Sequence, residues 1–127
     1  MIPIKQTIFS DRDNGIVGNC WQACVASLLD MNLESVPHFC DYPSWPENYH
    51  KWLYAKDLVS IDFVCNNDYQ LCHLGYHIIS GTSPRDRSIL HGVIGLNGEI
   101  CFDPHPENTG LLEPEKWTYT VIFPVRK

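Results

Sequence analysis

The sequence has little positive charge, no long apolar run and no basic-then-apolar leader, and each shortage removes a class of function. Nine Lys and Arg face fifteen Asp and Glu, a net charge of -6, so no diffuse positive field is present to neutralise phosphates. This argues against nucleic acid and anionic membranes as primary partners. No window approaches the roughly eighteen-residue apolar stretch of a membrane span, and Met1 to Ser10 lacks the basic and apolar blocks of an export signal. The expected location is a cytosol, the producing cell's own or that of a host. The six cysteines, Cys20, Cys24, Cys40, Cys65, Cys72 and Cys101, are then expected as thiols rather than as three disulfides. No CxxC or HExxH pair occurs. A metal site would have to be assembled from His73 and His77 with Cys65, Cys72, His38 and Cys40, and no metal or other cofactor is expected.

What is present suffices for one packed domain over residues 1–127, with 44% hydrophobic and 12% aromatic residues and no low-complexity bias. Ser10-Asp11-Arg12-Asp13-Asn14-Gly15 reads as an exposed loop. Asn19 is placed as an N-cap, and Cys20 to Asp30 follows without Pro or Gly. Its small or apolar residues Cys20, Ala23, Cys24, Ser27, Leu28 and Met31 recur at three and four, which predicts a helix. Ser44-Trp45-Pro46-Glu47 has capping-box spacing ahead of a second helix near 46–57, with Tyr49, Trp52, Leu53 and Lys56 on one face. The period then changes to two. Ile61 to Cys65 reads as extended, and so does a segment with Cys72, Leu74, Tyr76 and Ile78 on one side and His73 and His77 on the other. Ile89 to Leu96 and Glu99 to Phe102 flank Asn97-Gly98, a hairpin signal, and Thr118 to Val125 is a closing strand. Helices followed by strands predict an α+β fold in which the N-terminal helix buries its small-residue face on an antiparallel sheet.

The chemistry concentrates in three residues. A thiol at a helix N-terminus meets free N–H groups and partial positive charge, which favour a thiolate nucleophile, and Cys20 occupies such an end. A base is supplied by His91 in the strand Ile89 to Leu96, and an orienting acceptor by Asp103 after the returning strand. The pairing depends on the turn. A three-residue loop makes paired positions sum to 194 and sets His91 opposite Asp103. A two-residue Asn97-Gly98 turn makes the sum 195, sets His91 opposite Pro104 and turns Asp103 away unless a bulge intervenes. The alternation of apolar residues slightly favours the second. His73, His77 and His105 are the alternative bases.

Gly18-Asn19-Cys20-Trp21-Gln22-Ala23, leading into Ala26-Ser27-Leu28-Leu29, resembles the nucleophile helix of papain-like cysteine hydrolases, and His91-Gly92-Val93 and Asp103-Pro104 resemble their base and orienting residue. More closely, Gly18-Asn19-Cys20, Ala26 to Leu29, Val36-Pro37-His38-Phe39 and Asp103-Pro104-His105-Pro106 before Gly110-Leu111 are similar to a small set of papain-like proteins of bacteria and their phages. The match is loose over 40–88. The resemblance implies a papain-like fold and a Cys20–His91–Asp103 triad that cleaves a peptide, isopeptide or side-chain amide through a thioester. It also implies an upstream glutamine in the oxyanion hole. Gln6 is the matching residue, with Asn19 and Gln22 as alternatives. A transamidase or deamidase on the same triad, and a non-catalytic module that binds a host protein through Trp21, Trp45, Tyr49 and Trp52, are the competing readings. The partner implied by catalysis is a peptide or protein substrate, and so short a chain favours a small or extended-tail one.

Overall fold

The computed structural model describes residues 1–65, 69 and 71–126. Two helices, α1 (Cys20–Leu28) and α2 (Trp45–Tyr54), precede five strands, β1 (Leu58–Phe63), β2 (Tyr76–Thr82), β3 (Leu90–Leu96), β4 (Glu99–Phe102) and β5 (Thr118–Pro124). The strands form one sheet in the order β1-β5-β2-β3-β4, and every neighbouring pair is antiparallel. Both helices pack on one face, where Cys24, Val25 and Ala26 of α1 and Tyr49 and Leu53 of α2 meet Ile78 and Ile94. On the opposite face Ile79, Val93 and Tyr119 are covered by Leu71, Leu111 and Trp117. The fold is thus α+β, helices on an antiparallel sheet.

α1 forms because its small side chains let the helix lie close to the sheet. Ala23, Cys24, Ala26 and Ser27 are all buried, and the Ser27 hydroxyl donates to Ala23 O at 2.8 Å, so its polar atom is satisfied within the helix. The helix ends at Leu28, two residues before the expected stop, because Asp30 takes a left-handed φ of 53°. Neither expected side-chain cap forms. Asn19 and Ser44 precede their helices without any side-chain bond to a first-turn N–H.

Leu71 to Leu74 is a turn rather than an extended segment, so β2 begins only at Tyr76. Consequently His73 is exposed outside the sheet, while His77 is fully buried within it. β5 is a central strand between β1 and β2. Nothing local announces this, although Tyr119 and Thr120, which point to opposite faces, are both buried, as a central strand requires.

The first nine residues form a strap along α1. Ile2 N donates to Ser27 O at 3.1 Å, and Ile4 N to Ser27 Oγ at 3.0 Å. Farther on, Gln6 N donates to Pro104 O at 3.0 Å. The strap therefore joins the helix to the loop that follows β4, and the candidate site lies where they meet.

Candidate active site

Cys20, the first residue of α1, is partly exposed in a pocket of about 280 Å³ that it shares with Gln6, His91 and His105. His91 enters from the second position of β3 and is 4% exposed. Its Nε2 hydrogen-bonds Asp103 Oδ1 at 2.7 Å, and its ring shares the pocket with the Cys20 thiol. Since Nε2 is engaged by the carboxylate, Nδ1 is the nitrogen left for sulfur. The three residues singled out in the sequence are thus gathered in one place, His91 and Asp103 joined by a hydrogen bond and Cys20 in the same pocket as the ring.

The hairpin achieves this by a route that the sequence left open. Asn97 and Gly98 both have positive φ, 53° and 89°, so the turn has two residues and the first pairs, Leu96↔Glu99 and Gly95↔Ile100, sum to 195. Continued unchanged, that register would turn Asp103 away from His91. A bulge then shifts the ladder, and the next pair is Ile94↔Phe102. With one extra residue in β4 the sum becomes even, and Asp103 returns to the side of His91. Asn97 also anchors the turn, because its side chain accepts from Gly75 N at 2.8 Å and its own N–H donates to Gly75 O at 3.1 Å.

Asp103 organises the loop after β4 as well as the histidine. Oδ1 also accepts from His105 N at 2.9 Å, and Oδ2 accepts from Gly110 N at 2.9 Å. Lys5 closes the loop from the strap side, donating through Nζ to Asp103 O and Asn108 Oδ1, each at 2.9 Å. Burial pushes the Asp103 carboxyl up, but the bonds from His91, His105 and Gly110 and the charge of His91 outweigh it, and the group lies below its ordinary value. For His91, burial disfavours the charged ring, yet the bonds and charges of Asp103 and Cys20 prevail and raise it to about 9. The site favours an imidazolium held against the Asp103 carboxylate. Two neighbouring thiols are pushed up. Cys24 is pushed up by full burial and then by the charges of Cys20 and Asp103, and Cys40 reaches about 12 by burial and the charge of Cys20. All six cysteines are free of disulfides.

Asn19 has a larger task than capping. Its Oδ1 accepts from Thr7 N and Ile8 N at 3.0 and 2.8 Å, and its Nδ2 donates to Thr7 Oγ1 and Gln22 Oε1 at 3.0 and 3.1 Å. It is a buried clamp that fixes the strap against the start of α1. Gln22 in turn donates to Leu33 O and Val36 O at 3.0 and 2.7 Å. Both amides are therefore committed to the framework, which removes them as oxyanion donors.

Gln6 is brought to the pocket by that clamp. It is buried, donates through Nε2 to Ile8 O at 2.9 Å, and leaves Oε1 without a partner among the described residues. Reversing the amide would set two acceptor oxygens against each other, so the Ile8 contact fixes Nε2 where it stands. One Nε2 hydrogen is not used by that contact.

The proposed metal ligands are not assembled. His77 lies inside the sheet, its Nδ1–H donating to Gly75 O at 2.8 Å, and the described residues contain no group of three His, Cys, Asp or Glu able to hold an ion. Trp21, Trp45 and Tyr49 pack on one another with centroids 5.6 to 6.2 Å apart, and Trp52 packs on Phe39 at 5.6 Å. These aromatics belong to the core rather than to an exposed docking face.

Sequence reasoning did not foresee the pocket walls. The exposed turn Ser10 to Asp13 lines one side, and Arg85, Asp86, Ile89 and Leu90 line another. His105 was singled out only as an alternative base, and its spacing of two from Asp103 is the signal that an Asp-centred turn would carry it to the same pocket. No helix among the described residues is long and apolar enough to cross a membrane. Compared with protein families, with curated proteins and with solved structures, the chain finds no match.

Proposed function

We propose that the chain is a cysteine-dependent hydrolase of the papain-like kind, cleaving a peptide, isopeptide or side-chain amide bond. The observation that carries this reading is the buried 2.7 Å His91–Asp103 bond with the Cys20 thiol in the same pocket as the His91 ring. Three separate elements, a helix start, a strand and a post-hairpin loop, bring together the residue types that thiol catalysis uses, which supports this reading.

In this mechanism Cys20 Sγ attacks the acyl carbon, forming an S–C bond and a tetrahedral oxyanion. The Cys20 backbone N–H and the unused Nε2–H of Gln6 stabilise that oxygen. Collapse breaks the C–N bond while His91 passes its Nδ1 proton to the departing amine. Water then attacks the thioester with His91 accepting its proton, and a carboxylic acid and free Cys20 are released. Asp103 keeps the other imidazole proton on Nε2 and stabilises the imidazolium. An amine in place of water makes the same steps a transamidation, and a glutamine side chain as donor makes them a deamidation.

The test is competitive alkylation with iodoacetamide, mapped by mass spectrometry, followed by acid trapping of an acyl adduct from a library of peptide amides. Cys20 should label before exposed Cys72 and Cys101 across about pH 5 to 9, and Cys20→Ser should abolish acyl trapping while leaving the melting temperature nearly unchanged. Equal labelling of the three cysteines would overturn the proposal.

A further inference from the structure

The pocket beside Cys20 contains two donors that the hydrolytic steps leave unused. His105 is one. Its Nδ1 accepts from Glu107 N at 3.1 Å, which places the proton of the neutral ring on Nε2. The ring stands edge-on to Phe9 at 5.0 Å and to His91 at 6.2 Å. Its backbone is tied to Asp103 Oδ1 and reached by Lys5 Nζ, at 2.9 and 3.4 Å. Burial and then the charge of Arg85 hold its pKa below the ordinary histidine value, so near neutral pH it is an uncharged donor.

Arg85 is the other. Its Nη1 donates to Thr109 Oγ1 at 2.5 Å, which steadies the guanidinium at the pocket wall. Among the described residues no carboxylate lies within ion-pair distance of it. Two of the acidic side chains on the same walls are turned to their own loops. Asp11 accepts from Asn14 Nδ2 at 2.6 Å, and Asp86 accepts from Ser88 N at 2.9 Å and from its hydroxyl. That leaves Asp13, in a turn that also carries Arg12. A guanidinium without a carboxylate and a neutral imidazole N–H at one pocket match the two oxygens of a carboxylate.

We propose, on the reading of the pocket as that of a thiol hydrolase, that Arg85 and His105 form a carboxylate-recognition site, so that preferred substrates carry a carboxylate close to the amide that is cleaved. Arg85 supplies the charge, and His105 Nε2–H orients the second oxygen. Both are specificity residues that act on the substrate and take no part in proton transfer.

Iodoacetate and iodoacetamide separate this proposal from the hydrolase reading. Each alkylates Cys20 by the same step, in which an S–C bond forms as the C–I bond breaks and iodide leaves. The ratio of the two rates therefore cancels changes in thiolate content and reports the carboxylate of iodoacetate. Arg85→Gln should lower the iodoacetate-to-iodoacetamide ratio about 3- to 10-fold through the loss of one nearby charge. Arg85→Lys should keep part of it. His105→Ala should lower it about 2-fold and His105→Gln, which retains an N–H donor, should restore it. Arg126→Gln, which removes a positive charge away from the pocket lining, should leave the ratio unchanged. In the unmodified protein N-acetylglutamate should protect Cys20 from iodoacetamide better than N-acetylglutamine does, a readout that needs no variant. An unchanged ratio in Arg85→Gln, an equal fall in Arg126→Gln, or equal protection by the two ligands overturns the carboxylate site. A Cys20 that reacts with iodoacetamide no faster than Cys72 instead overturns the hydrolase reading.

Discussion

His77 and His91 occupy neighbouring strands in nearly equivalent settings. Each is buried in the β2–β3 ladder and each lies opposite a glycine, His77 across from Gly95 and His91 across from Gly81. Their chemistry diverges because of what the ring nitrogens meet. His77 has the Gly75 carbonyl on Nδ1 and, among the described residues, no partner on Nε2, so burial dominates and its pKa falls below 6.5. For His91 the carboxylate of Asp103 and the thiol of Cys20 reverse the effect of burial and raise it to about 9. A strand histidine is thus a neutral packing residue or a charged imidazolium according to one neighbouring carboxylate, and the bulge in β4 decides which.

The largest test of that contrast is to remove each ring. His91→Ala should slow alkylation of Cys20 near neutral pH by about 10²-fold or more, since the charged ring in the Cys20 pocket is lost. His77→Ala should leave the rate per folded molecule nearly unchanged and appear only as lowered stability. If His77→Ala slows the chemistry as much, the two histidines do not differ in role.

Asp103→Asn breaks the comparison at its source. The carboxylate accepts three N–H groups, from His91, His105 and Gly110. An amide must turn its NH2 toward at least one donor whichever way it is rotated. An asparagine is therefore poorly accommodated here, and a loss of about 2 to 4 kcal/mol in stability is expected together with slower alkylation. A denaturant titration checks the first and the iodoacetamide rate the second. Wild-type stability in Asp103→Asn would show that the loop is held by Lys5 instead.

The pH dependence of stability should carry both histidines with opposite signs. His77, lowered from 6.5, favours the folded state fully above that value, and its contribution is lost as pH falls through its folded pKa. His91, raised from 6.5 to about 9, contributes fully below 6.5, and the contribution is lost as pH rises towards 9. Stability should therefore peak near 6.5. The decline on the alkaline side amounts to at most about 3 kcal/mol by linkage. Chemical denaturation across this range should show the alkaline limb flattened in His91→Gln and the acid limb flattened in His77→Gln.

The smallest effect separates the two glycines. A Cβ at Gly95 would meet His77 Nε2 at 2.5 Å and Ile79 Cδ1 at 2.7 Å, whereas one at Gly81 would meet Trp117 Cδ1 at 2.9 Å. Gly95→Ala should cost about 1 to 3 kcal/mol in thermal or chemical melts, and Gly81→Ala less. The reverse order would mean that His77 moves aside more readily than Trp117.

Much of the site was legible because its signals are local. A run of small residues at helical spacing placed Cys20 at a helix start, and Asn97-Gly98 placed His91 and Asp103 on adjoining strands. Alternation stopped short at Leu71 to Leu74, where apolar residues lie in a turn, and so His73 and His77 were wrongly set side by side. Asn19 looked like a cap because a polar residue before a helix ordinarily is one. Three of its four side-chain bonds go to Thr7 and Ile8, 11 to 12 positions upstream, beyond what spacing within a helix reveals.

The sequence by itself determined the α1 helix, the hairpin at Asn97-Gly98 and the three residues, Cys20, His91 and Asp103, that meet at the candidate site, because turn chemistry and side-chain periodicity act over a few residues. Only the tertiary structure decided the bulge that returns Asp103 to His91, the central place of β5, the commitment of Asn19 and Gln22 to the framework, and the presence of Arg85 and His105 at the pocket. Each of these depends on segments far apart in the chain competing for the same hydrogen bonds and the same buried volume, and that competition is resolved only when the sheet and the strap close around α1.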